Sequence, residues 1–242
     1  EELAAGWRLA CQCRPRGDCR VLLPPESLSA PQRLQIEGLE IAPPSARDAP
    51  IRTVPCELDP PDLDRPVADA ENLMRALGCD GRVQAGIHVL RELPARLREW
   101  SWRLDAHLRQ GEVVAVGPLG SRALGLAVDL GTTKIAGYLV DLRTGQRLAA
   151  QAVMNPQIGY GEDVVARINV AISSRGGQQL MADLAREALG KLAEELCARA
   201  GARSRDILEC VVVGNTVMHH LLLGLPVAQL ARAPFVPAVR GA

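Results

Sequence analysis

Between Gly125 and Gly145 the chain reads GLAVDLGTTKIAGYLVDLRTG. Its apolar pattern is broken at Gly131-Thr132-Thr133 and again at Arg143-Thr144-Gly145, and resumes each time. That rhythm predicts three successive strands, a β-meander. A meander must bury one face against a second layer, and the following residues offer one. GEDVVARINVAI has helical spacing. QQLMADLAREALGKLAEELCARAG predicts a long amphipathic helix with Leu180, Leu184, Leu192 and Leu196 on one stripe. A Glu187–Lys191 pair one turn apart and Gly201 at its end support that helix. ILECVVVGNT then predicts a buried strand, and VMHHLLLGL a helix running to Gly224.

The upstream half is organised differently. Residues 1–23 read as a short helix and an alternating strand, GDCRVLLP. Residues 24–66 hold 10 of the 17 prolines, which removes backbone donors and disfavours helix, so this stretch reads as a linker. Within it LQIEGLEIAP and IRTVPCEL have the composition of edge strands. DAENLMRALG, from Asp69 to Gly78, predicts a capped helix. VQAGIHVL predicts a strand, ELPARLREW a helix, and WRLDAHLRQGEVVAV a hairpin about Gln110-Gly111. Residues 67–122 thus read as a small α+β domain, and 123–242 as a separate α/β lobe.

Composition narrows the function. Lys and Arg number 28 and so do Asp and Glu, so the balance carries no electrostatic footprint for nucleic acid or an anionic membrane. Aromatics are 2% of a chain that is 48% hydrophobic, which leaves Leu, Val and Ala to build the core. No apolar run approaches the roughly 18–20 residues that span a bilayer, and no secretory signal opens the chain. The expected location is cytoplasmic. The chain starts without Met and inside a helical pattern, which reads as a piece of a longer protein. Seven Cys, an odd number without a secretion signal, argue against a disulfide framework. Cys11, Cys13 and Cys19 cluster, and a zinc knuckle built on them lacks a fourth ligand nearby.

The turn after Asp129 is the candidate site. No stretch fits the Walker A loop or a dinucleotide fingerprint. In Asp-Leu-Gly-Thr-Thr-Lys, Gly131 allows backbone N–H groups to approach phosphate oxygens. Thr132 and Thr133 offer hydroxyl donors, Lys134 a positive charge, and Asp129 a carboxylate that holds Mg²⁺ through water or orients a nucleophile. The same residues also suit an ordinary hairpin turn.

Context supplies a resemblance. GWRLACQC, LAVDLGTTKIAGYLVDLRTG, MNPQIGYGEDVVARI, VVVGNTVMHHLLLGL and APFVP occur in one order. That series resembles the ferredoxin-linked ATPases called reductive activators of corrinoid proteins, within the actin, sugar kinase and heat-shock-chaperone superfamily. The resemblance implies a mixed α/β fold in which residues 123–242 are an incomplete, ribonuclease-H-like N-terminal lobe of the ATPase domain. Residues 1–23 would be the C-terminal remnant of a [2Fe–2S] ferredoxin domain, with Cys11 as the fourth cluster ligand and the other three upstream of Glu1. It implies ATP and Mg²⁺ as cofactors and ATP-driven reduction of a corrinoid protein from Co(II) to Co(I) for methyl transfer. The expected partner is a corrinoid iron–sulfur or corrinoid methyltransferase protein, with a homodimer through the ATPase domain.

By the same match Asp129 would be catalytic and Gly131, Thr132, Thr133 and Lys134 would sit at the first phosphate-binding turn. The family often has Thr where Lys134 stands. Asn155, Gln157 and Asp163 would face the cleft, although a capped loop before a helix explains them equally. Gly214, Asn215 and Thr216 fall at a strand end, where α/β sheets usually expose function. His219 and His220 are adjacent on a helix and read as packing and surface residues. A small-molecule kinase of the same superfamily would lack the ferredoxin remnant. A non-catalytic binding module is the third reading, because a second phosphate motif and the adenosine pocket are not in these residues.

Overall fold

The computed structural model describes Gly17 and residues 49–64, 66–78 and 84–239. Cys11, Cys13, Cys19 and LQIEGLEIAP lie outside the described residues. Residues 1–35 and 36–242 cluster as separate units, and every element below belongs to the second.

A four-stranded mixed sheet comes first. It contains β1 (Arg52–Glu57), β2 (Gln84–Ala85), β3 (Arg103–Arg109) and β4 (Glu112–Gly117), in the order β1-β3-β4-β2. β1 is an antiparallel edge strand drawn from the Pro-rich stretch, and Pro55 is accommodated there. β3 and β4 form the hairpin about Gln110 and Gly111, whose φ angles of 50° and 88° are those of a tight left-handed turn.

Two helices cover this sheet, α1 (Asp69–Ala76) and α2 (Ile87–Glu99). The strand expected over VQAGIHVL is confined to Gln84–Ala85, and the helix begins at Ile87. Val89, Leu93 and Leu97 recur at four-residue spacing and are fully buried, so helical burial overrides the short β-like run. Leu73, Leu104, Ala106, Leu108 and Val113 complete this core.

The second sheet carries the meander: β5 (Leu124–Leu130), β6 (Lys134–Asp141) and β7 (Arg147–Met154), joined by β8 (Ile207–Gly214) in the order β7-β6-β5-β8. β5–β6 and β6–β7 are antiparallel, and β8 runs parallel to β5. Leu124, Leu126, Val128 and Leu130 point into the core while Ala127 and Asp129 point out. That is the period-2 pattern of a strand covered on one face.

The covering layer is α3 (Val164–Ser173), α4 (Gly177–Arg199) and α5 (Thr216–Leu223). Helix α4 lies close on β6 because Gly137 has no side chain: a Cβ there would meet Leu192 Cδ2 at 2.8 Å. The buried face of α4 is Met181, Ala182, Ala185, Leu192, Leu196 and Cys197. Leu180, expected on that stripe, is exposed one position away from it. The strand expected to be buried, β8, stands at the sheet edge. Among the described residues it pairs on one side only, and Val211 and Val213 are 53% and 58% exposed.

A chain of hydrogen bonds pins the connection between the two sheets. Thr53 Oγ1 meets His107 Nδ1 at 3.0 Å, and His107 Nε2 meets Ser121 Oγ at 3.0 Å. Asp105 Oδ2 accepts from Ser121 Oγ at 3.3 Å and from the N–H groups of Gly120 and Ser121. With Ser121 donating to Asp105, the ring donates from Nε2 to Ser121 Oγ, and a neutral ring then accepts from Thr53 at Nδ1. Burial lowers the His107 pKa, and the nearby Asp105 charge opposes that only in part.

Candidate functional site

The Gly131–Thr133 turn connects β5 to β6, and three later segments hold it from behind. Asn155 follows β7 and is buried. Its Nδ2 donates to Gly131 O at 2.9 Å, and its backbone N–H donates to Thr133 O at 2.9 Å. Its Oδ1 also accepts from Gln157 N, which caps the 3₁₀ turn Pro156–Tyr160.

Arg167, on α3, reaches the middle of the turn. Its Nη2 donates to Thr132 O at 2.6 Å, its Nε to Gly161 O at 2.9 Å, and its Nη1 to Gln157 Oε1 and Met218 Sδ. Arg167 is 0% exposed. Burial lowers its pKa, opposed by the Asp163 charge, yet a guanidinium stays protonated in proteins. From the end of β8, Asn215 Nδ2 donates to Thr132 Oγ1 at 3.1 Å, and its Oδ1 caps α5 by accepting from Met218 N.

The consequence follows from peptide geometry. In a trans peptide the carbonyl of one residue and the N–H of the next point in opposite directions. Carbonyls 131 and 132 are drawn back onto Asn155 and Arg167, so the N–H groups of Thr132 and Thr133 point away from that support. Among the described residues neither N–H has an acceptor. Two adjacent, unused amides are thereby left available to an anion.

Gly131 and Gly214 are required by close approach. A Cβ on Gly131 would stand 2.5 Å from Lys134 O, and one on Gly214 would stand 2.9 Å from Leu130 O. Asp129 is the penultimate residue of β5 and is exposed, Lys134 opens β6 partly buried, and Thr216 is exposed at the start of α5. These residues converge at one end of the second sheet. Gln157 is fully buried, donates from Nε2 to Met181 O at 2.8 Å and receives Arg167. It braces the site from inside and has no exposed surface. Asp163 caps α3, its Oδ1 accepting from Ala166 N at 2.7 Å.

His220 is buried, pairing through Nδ1 with Thr216 O and accepting at Nε2 from Ala238 N–H. Among the described residues no group of three His, Cys, Asp or Glu side chains is arranged to hold a metal.

Arg167 is the site residue that sequence reasoning missed. The signal was present: Val164, Arg167, Ile168 and Ala171 fall at i, i+3, i+4 and i+7, a helical stripe, half-buried at Val164 and buried at the other three, with one charge in it.

The chain is similar to known proteins. Residues 124–242 match the family described as the RACo middle region, and residues 41–121 the RACo linker region. The chain is 35% identical over 112 residues to the corrinoid activation enzyme RamQ of Eubacterium limosum, covering 46% of this chain and 19% of that protein. It is similar in structure to a reductive activator for a corrinoid, iron–sulfur protein, with a TM-score of 0.65 and 27% identity over 79% of this chain. It spans 32% of that activator's length.

Proposed function

The chain belongs to the family of reductive activators of corrinoid proteins, with its linker and middle regions, and from that premise we propose that residues 123–242 are one nucleotide-binding lobe of an ATP-dependent activator. The observation that carries this reading is the Gly131–Thr133 turn, with its carbonyls held from behind and two amides left for an anion. The reading assigns this lobe a ribonuclease-H-like fold, supported by strand order β7-β6-β5-β8 with β8 parallel to β5.

Each residue then has a task. The N–H groups of Thr132 and Thr133 donate to phosphate oxygens of ATP. The Thr133 hydroxyl adds a donor, and Thr132 Oγ1, accepting from Asn215, keeps its own proton to donate. Asp129, exposed at the strand end, holds Mg²⁺ through water or orients the attacking water, since Mg²⁺ binds one or two carboxylates together with substrate phosphates. Lys134 contributes charge at the start of β6. Gly214 and Asn215 keep β8 close to the turn, and Thr216 faces the opening.

In the full-length protein, ATP binding and hydrolysis would be coupled to moving one electron from a [2Fe–2S] domain, ligated in part by Cys11, to the cobalt of a corrinoid protein. Co(II) gains that electron and becomes Co(I), the form that accepts a methyl cation. Coupling requires that nucleotide favour the conformation competent for transfer. The protein would act in the cytoplasm on a corrinoid iron–sulfur or corrinoid methyltransferase partner, as a homodimer through the ATPase domain. No helix of the described residues is long and apolar enough to cross a membrane.

The test is spectroscopic. Full-length protein, its corrinoid partner and a low-potential reductant are followed through the Co(II) and Co(I) absorption bands with and without MgATP. Co(I) is expected to accumulate only with ATP. Equal accumulation without it refutes the ATP-dependent reading.

A further inference from the structure

Arg167 presents an imbalance. Its guanidinium is fully buried, and none of the ion pairs among the described residues includes it. Asp163 attracts it, but that carboxylate caps α3 through Ala166 N. The bonds Arg167 makes go to two carbonyls, a side-chain amide and a thioether. They occupy four of its five N–H donors and leave its charge without an ion-pair partner. Burying an unpaired charge is costly, and charge-assisted bonds to neutral acceptors return part of that cost.

The direction of the charge matters. Nη2 sits 2.6 Å behind the Thr132 carbonyl, and the Thr133 N–H of the same peptide faces the opposite way. The guanidinium therefore polarises that peptide, making its N–H end more positive. Arg167 is fixed at four points. A fixed cation needs no reorganisation when an anion arrives.

We propose that Arg167 is a positioning residue of the nucleotide site: it sets the Thr132–Thr133 peptide and is the standing positive charge behind the amides that receive the triphosphate. This rests on the nucleotide reading above. It differs from a purely bracing role in one respect, because a brace needs the forked guanidinium while a standing charge is kept by Lys.

The experiment uses full-length protein and calorimetric titration with ATP, ADP and adenosine, on wild type, Arg167→Lys and Arg167→Met. Arg167→Met is expected to lose at least tenfold in ATP affinity, less for ADP and nothing for adenosine. Arg167→Lys, which keeps the charge without the fork, is expected to retain most of the ATP affinity. Equal losses for ATP and adenosine would show general damage to the site, and a Lys variant as weak as the Met variant would make Arg167 a brace; either overturns the proposal. If Arg167→Met does not fold, Arg167→Gln replaces it as the neutral variant. Wild type that binds no ATP overturns the nucleotide reading and this proposal together. Wild type that binds ATP while Arg167→Met binds it equally overturns this proposal alone.

Discussion

Asn155 grips Gly131 and the far end of its turn at once: its side-chain amide donates to Gly131 O and its backbone N–H to Thr133 O, both at 2.9 Å. One buried residue thus sets the spacing between the two ends of the proposed anion site. Asn155→Ala leaves the Gly131 carbonyl and the Gln157 N–H without these partners, a loss of about 1–3 kcal/mol for an abandoned buried group. The expected result is a lower unfolding midpoint and ATP affinity reduced at least tenfold in the full-length protein. Asn155→Asp, which turns a carboxylate toward the Gly131 carbonyl, is expected to be worse than Ala in both denaturation and binding assays.

Gly131→Ala probes the turn directly. The added methyl would stand 2.5 Å from a backbone oxygen, Lys134 O, which no side-chain rotation relieves. The turn must open. The second sheet is expected to persist by circular dichroism while ATP binding is lost, and an Ala variant with wild-type affinity would show that the turn's shape is not what binds.

Asp129 separates chemistry from folding. Its side chain is exposed on the outer face of β5, so Asp129→Ala is expected to leave the melting temperature within a degree or two. Steady-state ATP hydrolysis by the full-length protein should fall by about 100-fold or more, the scale of a lost acid–base or positioning group. Unchanged turnover would leave Asp129 as a turn residue only.

His107 makes stability depend on pH. Burial lowers its pKa in the folded chain, so below about pH 6.5 the unfolded chain binds a proton that the folded chain resists. Its contribution is therefore present above the unfolded value and is lost as pH falls through the lower folded value, at no more than about 1.4 kcal/mol per pH unit. Urea midpoints measured from pH 7.5 to 4.5 should fall more steeply for wild type than for His107→Gln. Parallel slopes would remove His107 from the account.

Sequence reasoning followed what is local. The β5–β6 meander, the Gln110-Gly111 hairpin and the Gly224 stop of α5 each have a nearby cause in alternation or turn chemistry, and each is in the structure. It failed where tertiary burial decides. His88 to Leu90 looked like a strand until Val89, Leu93 and Leu97 were seen to share a buried helix face. Val211 and Val213 looked buried because apolar runs do not report whether a strand lies at the centre or the edge of a sheet.

At the candidate site, the Gly131–Thr133 turn is legible from the sequence itself. Arg167 is not, because a charge on an apolar stripe reads as an irregularity until the Thr132 carbonyl is found at its tip.

The turn is three residues long, yet its supports stand at positions 155, 167 and 215. Its strands can pair early, but its amides are aimed only after the chain has closed loops of up to about 80 residues. The proposed anion site would therefore form late in folding, and a ligand that takes it would select chains in which β8 has already docked. Nucleotide would then act on the lobe as a folding ligand, shifting its unfolding equilibrium by mass action and shielding β8 from proteases along with the turn.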